Sequence, residues 1–219
     1  INYRLQRSER SIGAALSSLI GGPRTNAADV ANVARDELVI ATKGGFIPMD
    51  GDDPRDARSW FAETIEKPGI ATATDVVAGC HVMTPRYLAA QIDWSRRNLG
   101  LATLDIYYIH NPETQLQEIQ RAAFLDRIRA AFVMLETKVK EGAIGGYGVA
   151  TWDGLRVPPS ERGHLSLAEL LVAAREVGGE GPGELAEDAE DFGFGSHCSR
   201  PVPGADGLEA EGLRVQDDL

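Results

Sequence analysis

Two short apolar runs decide the fold: LVIATK at residues 38–43 and LDIYYIH at residues 104–110. Each is typical of a β-strand, and each ends in a residue capable of chemistry, Lys43 in the first and His110 in the second. Catalytic groups of α/β folds gather at the carboxyl ends of parallel strands, because the strand fixes the position while the following loop can vary. The two runs therefore predict a parallel sheet with a functional site at its carboxyl edge.

The segments between these runs have helical periodicity. A third strand is predicted at residues 143–150, where apolar residues follow Gly142. The predicted helices cover residues 8–20, 56–67, 85–99, 122–141 and 167–177. This alternation of strands and helices predicts right-handed βα units on a parallel sheet.

Two architectures contain such units. A doubly wound nucleotide-binding sheet needs a glycine-rich turn of the form G-x-G-x-x-G after a strand, and the chain has none. The nearest run, GGYG at residues 145–148, lies inside a predicted strand, so we interpret its glycines as packing positions. A (β/α) barrel is therefore the predicted fold.

Composition limits the class of partner. The chain has 219 residues, of which 43% are hydrophobic, which is enough for a sizeable core, and its net charge is −11. Because nucleic acids and membrane surfaces present negative charge, neither is an expected partner. The chain has only two cysteines and no apolar run long enough to cross a bilayer, so we expect a cytoplasmic location.

Possible metal ligands occur in three places. Two pairs of neighbours, Cys80 with His81 and His197 with Cys198, have no suitably spaced further ligands, so we interpret them as structural or solvent-facing. The acidic run DGDD at residues 50–53 lacks the remaining ligands of a calcium loop and predicts a solvated turn. No metal site is predicted.

Four segments, in order, resemble the aldo-keto reductase family. The start, YRLQRSE at residues 3–9, is similar to the Y-G-x-G-x-S-E segment of that family. The resemblance continues through residues 39–43 (VIATK), 105–112 (DIYYIHNP) and 141–149 (EGAIGGYGV). It covers residues 1–179 and implies a (β/α)8 TIM barrel that binds NADP(H) without a Rossmann domain and reduces a small aldehyde or ketone to an alcohol.

The resemblance also implies roles for individual residues. Tyr3 corresponds to the general acid, Lys43 to the group that lowers the pKa of that tyrosine, and His110 to the residue that orients the substrate carbonyl. These roles agree with physical chemistry, because an ammonium group near a phenol stabilises the phenolate. Thr151 lies where many members have Ser-Asn, and is expected to be a weaker cofactor contact.

The chain departs from the family pattern in two respects. Arg4 and Gln6 replace two glycines, and the family's aspartate partner of the lysine would lie upstream of Ile1. After Gly179, residues 180–219 contain eleven acidic residues against two arginines, with many Gly and Pro and no strand periodicity. We expect a partial barrel at 1–179, a disordered or out-of-frame acidic tail at 180–219, and a fragment that is weakly active or inactive alone.

Two other classes of function remain open. In a Schiff-base aldolase, which is also a barrel, Lys43 would attack a carbonyl directly. In a non-catalytic binding protein built on a reductase barrel, the cofactor would bind without turnover. The presence of Tyr3 and His110 together with the lysine favours reduction.

Overall fold

The computed structural model describes residues 1–20 and 33–177, which contain one parallel sheet and the helices packed on it. The strands of this part are β1 (Ala41–Gly44), β2 (Leu104–His110) and β3 (Ile144–Ala150). They pair in the order β1-β2-β3, both pairs being parallel. Sequential order without a reversal is the arrangement of neighbouring strands in a β/α barrel.

The helices predicted from periodicity are present, each within one residue of its predicted ends. They are α1 (Arg7–Leu19), α2 (Ala57–Phe61, continued by a π-helical turn at Ala62–Glu66), α3 (Pro85–Leu99), α4 (Arg121–Lys140) and α5 (Leu167–Glu176). In the described part of the chain, none of them is long and apolar enough to cross a membrane. The predicted acidic tail and the His197–Cys198 pair lie outside the described residues.

The first strand begins three residues later than predicted. The reason is Asp105, whose carboxylate accepts the N–H of Ile40 at 2.6 Å and a bond from Arg35 at 2.7 Å. The carbonyl of Ile40 in turn accepts from the backbone of both Asp105 and Ile106. These contacts replace regular pairing at residues 38–40, so the ladder starts at Ala41.

The principal core lies among β2, β3 and the helices that follow them. Its fully buried members include Ile92 of α3, Tyr107 and Ile109 of β2, and Phe132 of α4. Gly145 fits this packing, because a Cβ there would lie 2.8 Å from the carbonyl oxygen of Asp105. The interpretation of this glycine as a packing position is confirmed.

A second core lies under the segment that follows β1. This segment, residues 45–55, is irregular, but Ile47 and Met49 are buried against Trp60 and Phe61 of α2 and against Val82. Burial of these side chains holds the segment in place, together with the hydrogen bond from the N–H of Ile47 to the carbonyl of Cys80 at 2.8 Å. The carboxyl edge of β1 therefore carries a packed loop.

The segment between Tyr3 and α1 has an unusual backbone. Arg4, Leu5 and Gln6 have φ angles of 47°, 56° and 70°, which are left-handed values that favour glycine. Two of the three are the positions where the resemblance led us to expect glycine. The chain therefore keeps the glycine conformation with larger residues, at a cost of about 1–2 kcal/mol each.

Contacts offset this cost at Gln6 but not at Arg4. The Gln6 side chain donates to the carbonyl of Pro48 at 2.8 Å and accepts from Asn98 at 3.2 Å. Arg4 is exposed.

We predict that Arg4→Gly stabilises the chain, because it removes the left-handed strain and no buried contact. The free energy of unfolding should rise by about 1 kcal/mol, after allowance for the greater freedom of glycine in the unfolded chain. Urea denaturation of the parent and the variant measures the difference.

Gln6→Gly is the matched control. It relieves the same kind of strain but loses two hydrogen bonds of about 1 kcal/mol each, so no gain in stability is expected. Destabilisation by Arg4→Gly would show that the left-handed backbone at this position is not strained.

Candidate active site

Tyr3, Lys43 and His110, which are far apart in the sequence, lie together in the structure. The Tyr3 hydroxyl is 3.3 Å from Nε2 of His110, and the two ring centroids are 5.7 Å apart. Nζ of Lys43 lies 5.9 Å from the centroid of the Tyr3 ring. The three side chains named from the sequence therefore form one cluster.

The sheet places two members of this cluster. Strands β1 and β2 are in parallel register with Lys43 opposite Tyr108 and Gly44 opposite Ile109. Lys43 and His110 are therefore at the carboxyl ends of neighbouring strands, as the sequence predicts. Such an edge is where α/β proteins place their functional groups.

Tyr3 is not on a strand, so other contacts must hold it. The backbone nitrogen of Ile1 donates to the carbonyl of Lys43 at 2.9 Å, and the N–H of Gly51 donates to the carbonyl of Leu5 at 3.1 Å. These bonds lie on either side of Tyr3. They attach its segment to the end of β1 and to the loop that follows.

A buried carboxylate strengthens this attachment. Glu9, in the first turn of α1, accepts hydrogen bonds from Thr42 of β1 at 2.6 Å and from Ser95 and Asn98 of α3 at 2.7 and 3.0 Å. Burying a carboxylate is costly unless donors satisfy it, and here three side chains do so. Glu9 therefore joins α1, β1 and α3 immediately behind Lys43. The sequence analysis assigned Glu9 no role.

His110 is neutral in this environment. Burial lowers the pKa of its imidazole well below the ordinary value, and the charge of Lys43 lowers it further. Its Nδ1 atom is buried and has no hydrogen-bond partner in residues 1–20 and 33–177. A buried N–H without a partner is costly, so the ring proton belongs on Nε2, where it faces the Tyr3 hydroxyl. The Tyr3 proton can then be donated elsewhere.

Lys43 is partly buried, and this desolvation lowers the pKa of its ammonium group. Within the described residues it forms no ion pair with a carboxylate. Its charge lies instead beside the face of the Tyr3 ring, at the distance of a cation–π contact. Negative charge that develops on Tyr3 would be stabilised by this ammonium.

Thr151, the predicted cofactor contact, directly follows β3. The N–H of Asn111 donates to the carbonyl of Ala150 at 2.6 Å, which continues the β2–β3 pairing to the strand ends. Thr151 is therefore at the same edge of the sheet as His110.

Glu113 is a buried acid at this edge that the sequence analysis did not identify. One of its oxygens accepts the N–H of Trp152 at 2.8 Å, and the other is buried with no partner in the described part of the chain. Burial raises the pKa of its carboxyl. In the sequence, only its place directly after Pro112, close to the end of the strand that carries His110, could have indicated a role for Glu113. Glu113 connects the loop after β2 to the loop that carries Thr151.

His81 is a further residue whose position was not predicted from the sequence. The pair Cys80 and His81 is buried, so the structural interpretation is confirmed and the solvent-facing one is wrong. The Nε2 atom of His81 lies 2.8 Å from the carbonyl oxygen of His110. A histidine in a loop 29 positions earlier therefore contacts the backbone of a candidate site residue.

The acidic run at residues 50–53 forms a turn held by arginines. Asp50 binds Arg10 at 2.6 Å, and Asp52 binds both Arg10 and Arg7. These ion pairs fasten the loop after β1 to α1. Across the described ranges, no three His, Cys, Asp or Glu side chains group in a way that could hold a metal ion.

The chain is similar to a known family of proteins. The model of the Aldo/keto reductase family matches residues 2–157. A comparison with curated proteins gave no match.

Solved structures with similarity to the chain include an aldo-keto reductase and a glycerol dehydrogenase. The aldo-keto reductase AKR11C1 from Bacillus halodurans, in its holo form, is 17% identical with a TM-score of 0.40, and the match covers 68% of this chain and 34% of that one. The glycerol dehydrogenase AKR11B4 from Gluconobacter oxydans is 18% identical with a TM-score of 0.42, covering 78% of this chain and 34% of that one. The chain thus spans about a third of the length of these structures. Because the family model matches most of its residues, the chain belongs to the aldo/keto reductase family, whose fold is the (β/α)8 barrel.

Proposed function

We propose that this chain carries the proton-donating residues of a site that reduces an aldehyde or ketone to an alcohol with NADP(H). The observation that carries the proposal is the contact of Tyr3 with Nε2 of His110 at 3.3 Å, with the Lys43 ammonium beside the same ring. Membership of the aldo/keto reductase family supports carbonyl reduction in general.

The proposal also divides the chain into two parts. Residues 1–179 would belong to the reductase barrel, and residues 180–219 would form a separate acidic segment. The low cysteine content supports a reducing compartment such as the cytoplasm.

The described residues fit the nicotinamide end of the cofactor. Thr151 directly follows β3 at the carboxyl edge, and the carboxyl oxygen of Glu113 that has no partner among the described residues belongs to a group bonded to the same loop. A hydroxyl donor and a carboxyl acceptor match the C=O and N–H groups of a carboxamide. When bound, a nicotinamide supplies hydride to the carbonyl carbon.

The chain's own residues would manage the carbonyl oxygen. The Nε2–H of His110 holds that oxygen, and the Tyr3 hydroxyl donates its proton to it as negative charge develops. The Lys43 ammonium stabilises the phenolate left on Tyr3. Burial of His110 excludes water from this side of the site.

One observation favours a second chemistry. Burial lowers the pKa of Lys43, and a desolvated lysine with a lowered pKa is suited to attack a carbonyl and form a Schiff base. Borohydride reduction in the presence of an aldehyde would attach substrate covalently to Lys43 in an aldolase. In a reductase, intact-mass measurement should show no such adduct.

In a form of the protein that turns over aldehydes, we predict that Tyr3→Phe lowers the rate of NADPH oxidation by about 10²- to 10⁴-fold, because it removes the proton donor. NADPH affinity should change less than about twofold, since the hydroxyl acts mainly in the transition state. Cofactor absorbance gives the rate and cofactor fluorescence gives the affinity.

Tyr147→Phe is the matched control, because it removes a hydroxyl that bonds Glu136 of α4 and not the candidate site. Retained turnover in Tyr3→Phe would remove Tyr3 from the mechanism. Saturable NADPH binding by the parent without turnover of any aldehyde would favour the binding-protein alternative.

We also predict that Lys43→Met raises the pKa of His110, because the lysine charge is one cause of its low value. NMR titration of the ring nitrogens measures this shift without requiring turnover. Lys43→Arg keeps the charge and should leave the titration close to that of the parent. An unchanged titration in Lys43→Met would show that the ammonium does not act on the cluster.

A further inference from the structure

A chain of buried hydrogen bonds leads from α4 to the end of β2. Arg127 donates through Nη1 to Oε1 of Gln115, and Nε2 of Gln115 is 2.9 Å from Nδ1 of His81. Nε2 of His81 is 2.8 Å from the carbonyl oxygen of His110. Gln115 and His81 are both fully buried.

The chemistry of these groups fixes the direction of every bond. Arginine can only donate, so the oxygen of the Gln115 amide faces Arg127 and the nitrogen faces His81. That nitrogen donates, so Nδ1 of His81 accepts and the ring proton is on Nε2. The imidazole is thereby set to the one tautomer that can donate to the carbonyl of His110.

Burial keeps this imidazole neutral. It lowers the pKa of His81 to about 4, and the Arg127 charge acts in the same direction. At neutral pH the ring therefore carries only the Nε2 proton. The hydrogen-bond chain brings no second positive charge to the cluster beside Lys43.

Packing also ties His81 to His110. The Phe46 ring stands edge-on to both imidazoles, with centroid distances of 5.0 Å to His81 and 4.9 Å to His110. Gly45 leaves the space that His81 needs, because a Cβ there would lie 2.5 Å from Nε2, and its φ of 135° also requires glycine. The imidazole is thus held on several sides against the strand end.

We propose that His81, oriented by Gln115 and Arg127, is a positioning residue that fixes the backbone and ring of His110 for carbonyl reduction. It acts through the carbonyl of His110 and touches neither Tyr3 nor a reacting atom in this arrangement. The proposal rests on the proposed function. A misplaced donor costs an enzyme turnover and not cofactor affinity.

The first test, in the full chain of 219 residues, reverses the hydrogen bond between Gln115 and Nδ1 of His81. In Gln115→Glu the new carboxylate accepts from Nδ1 of His81, so the ring must carry a proton there. To keep its bond to His110 it must take a second proton. We expect ring-nitrogen NMR at neutral pH to show His81 changing from the neutral Nε2–H form to the imidazolium form, and the pKa of His110 falling further.

Gln117→Glu is the matched control, because Gln117 is exposed and belongs, like Gln115, to the short 3₁₀-helix Pro112–Gln117. It adds the same charge without changing the hydrogen bonds of Gln115 to Arg127 and His81, so both imidazoles should keep the parent signals. Unchanged His81 and His110 signals in a folded Gln115→Glu variant would overturn the proposal.

The second test removes the donor. His81→Leu should move the ring signals of His110 and lower kcat by about tenfold to a hundredfold with little change in the KM for NADPH. His81→Gln returns an N–H donor toward the same carbonyl and should recover most of that loss.

The outcomes separate this proposal from the proposed function. If His81→Leu does not fold, Gln115→Glu decides by NMR alone. If the ring signals change as expected but Tyr3→Phe turns over aldehydes as the parent does, the proposed function fails and the control of His110 by His81 stands. Equal kcat in parent and His81→Leu, with unchanged His110 signals, overturns the positioning role.

Discussion

The buried carboxylate of Glu9 is the contact on which the candidate site depends. Tyr3 is on neither a strand nor a helix, so its place relative to Lys43 and His110 must come from the segment around it. Glu9 attaches that segment to Thr42, the neighbour of Lys43, and to Ser95 and Asn98 of α3. Because three donors satisfy a carboxylate that water does not reach, the attachment is specific in geometry as well as favourable.

Much of the fold follows from the sequence, because periodicity reports which face of an element is buried. The long helices α3 and α4 have regular apolar stripes, and their ends agree with those predicted. The start of β1 could not be predicted in this way. It is set by the Asp105 side chain, a contact from another strand that local pattern does not contain.

The site was predictable to the extent that strand ends mark it. Lys43 and His110 end two strands, and resemblance added Tyr3 and Thr151. His81 and Glu113 lacked such a signal, since each is in a loop and gains its position from tertiary contacts.

Burial gives this cluster its charge pattern. The imidazoles of His81 and His110 are kept neutral by desolvation, so they add no positive charge to that of Lys43 beside the Tyr3 ring. Nζ of Lys43 is 5.9 Å from the centroid of the Tyr3 ring. Two opposite unit charges at such a separation attract by roughly 3 kcal/mol at an effective dielectric constant of about 20. Protonating either histidine would place a further positive charge in a buried space that water does not screen. The hydrogen bonds from Arg127 through Gln115 and His81 to His110 also add no positive charge there. The groups that orient His110 are neutral, and the charged guanidinium of Arg127 is at the other end of the series.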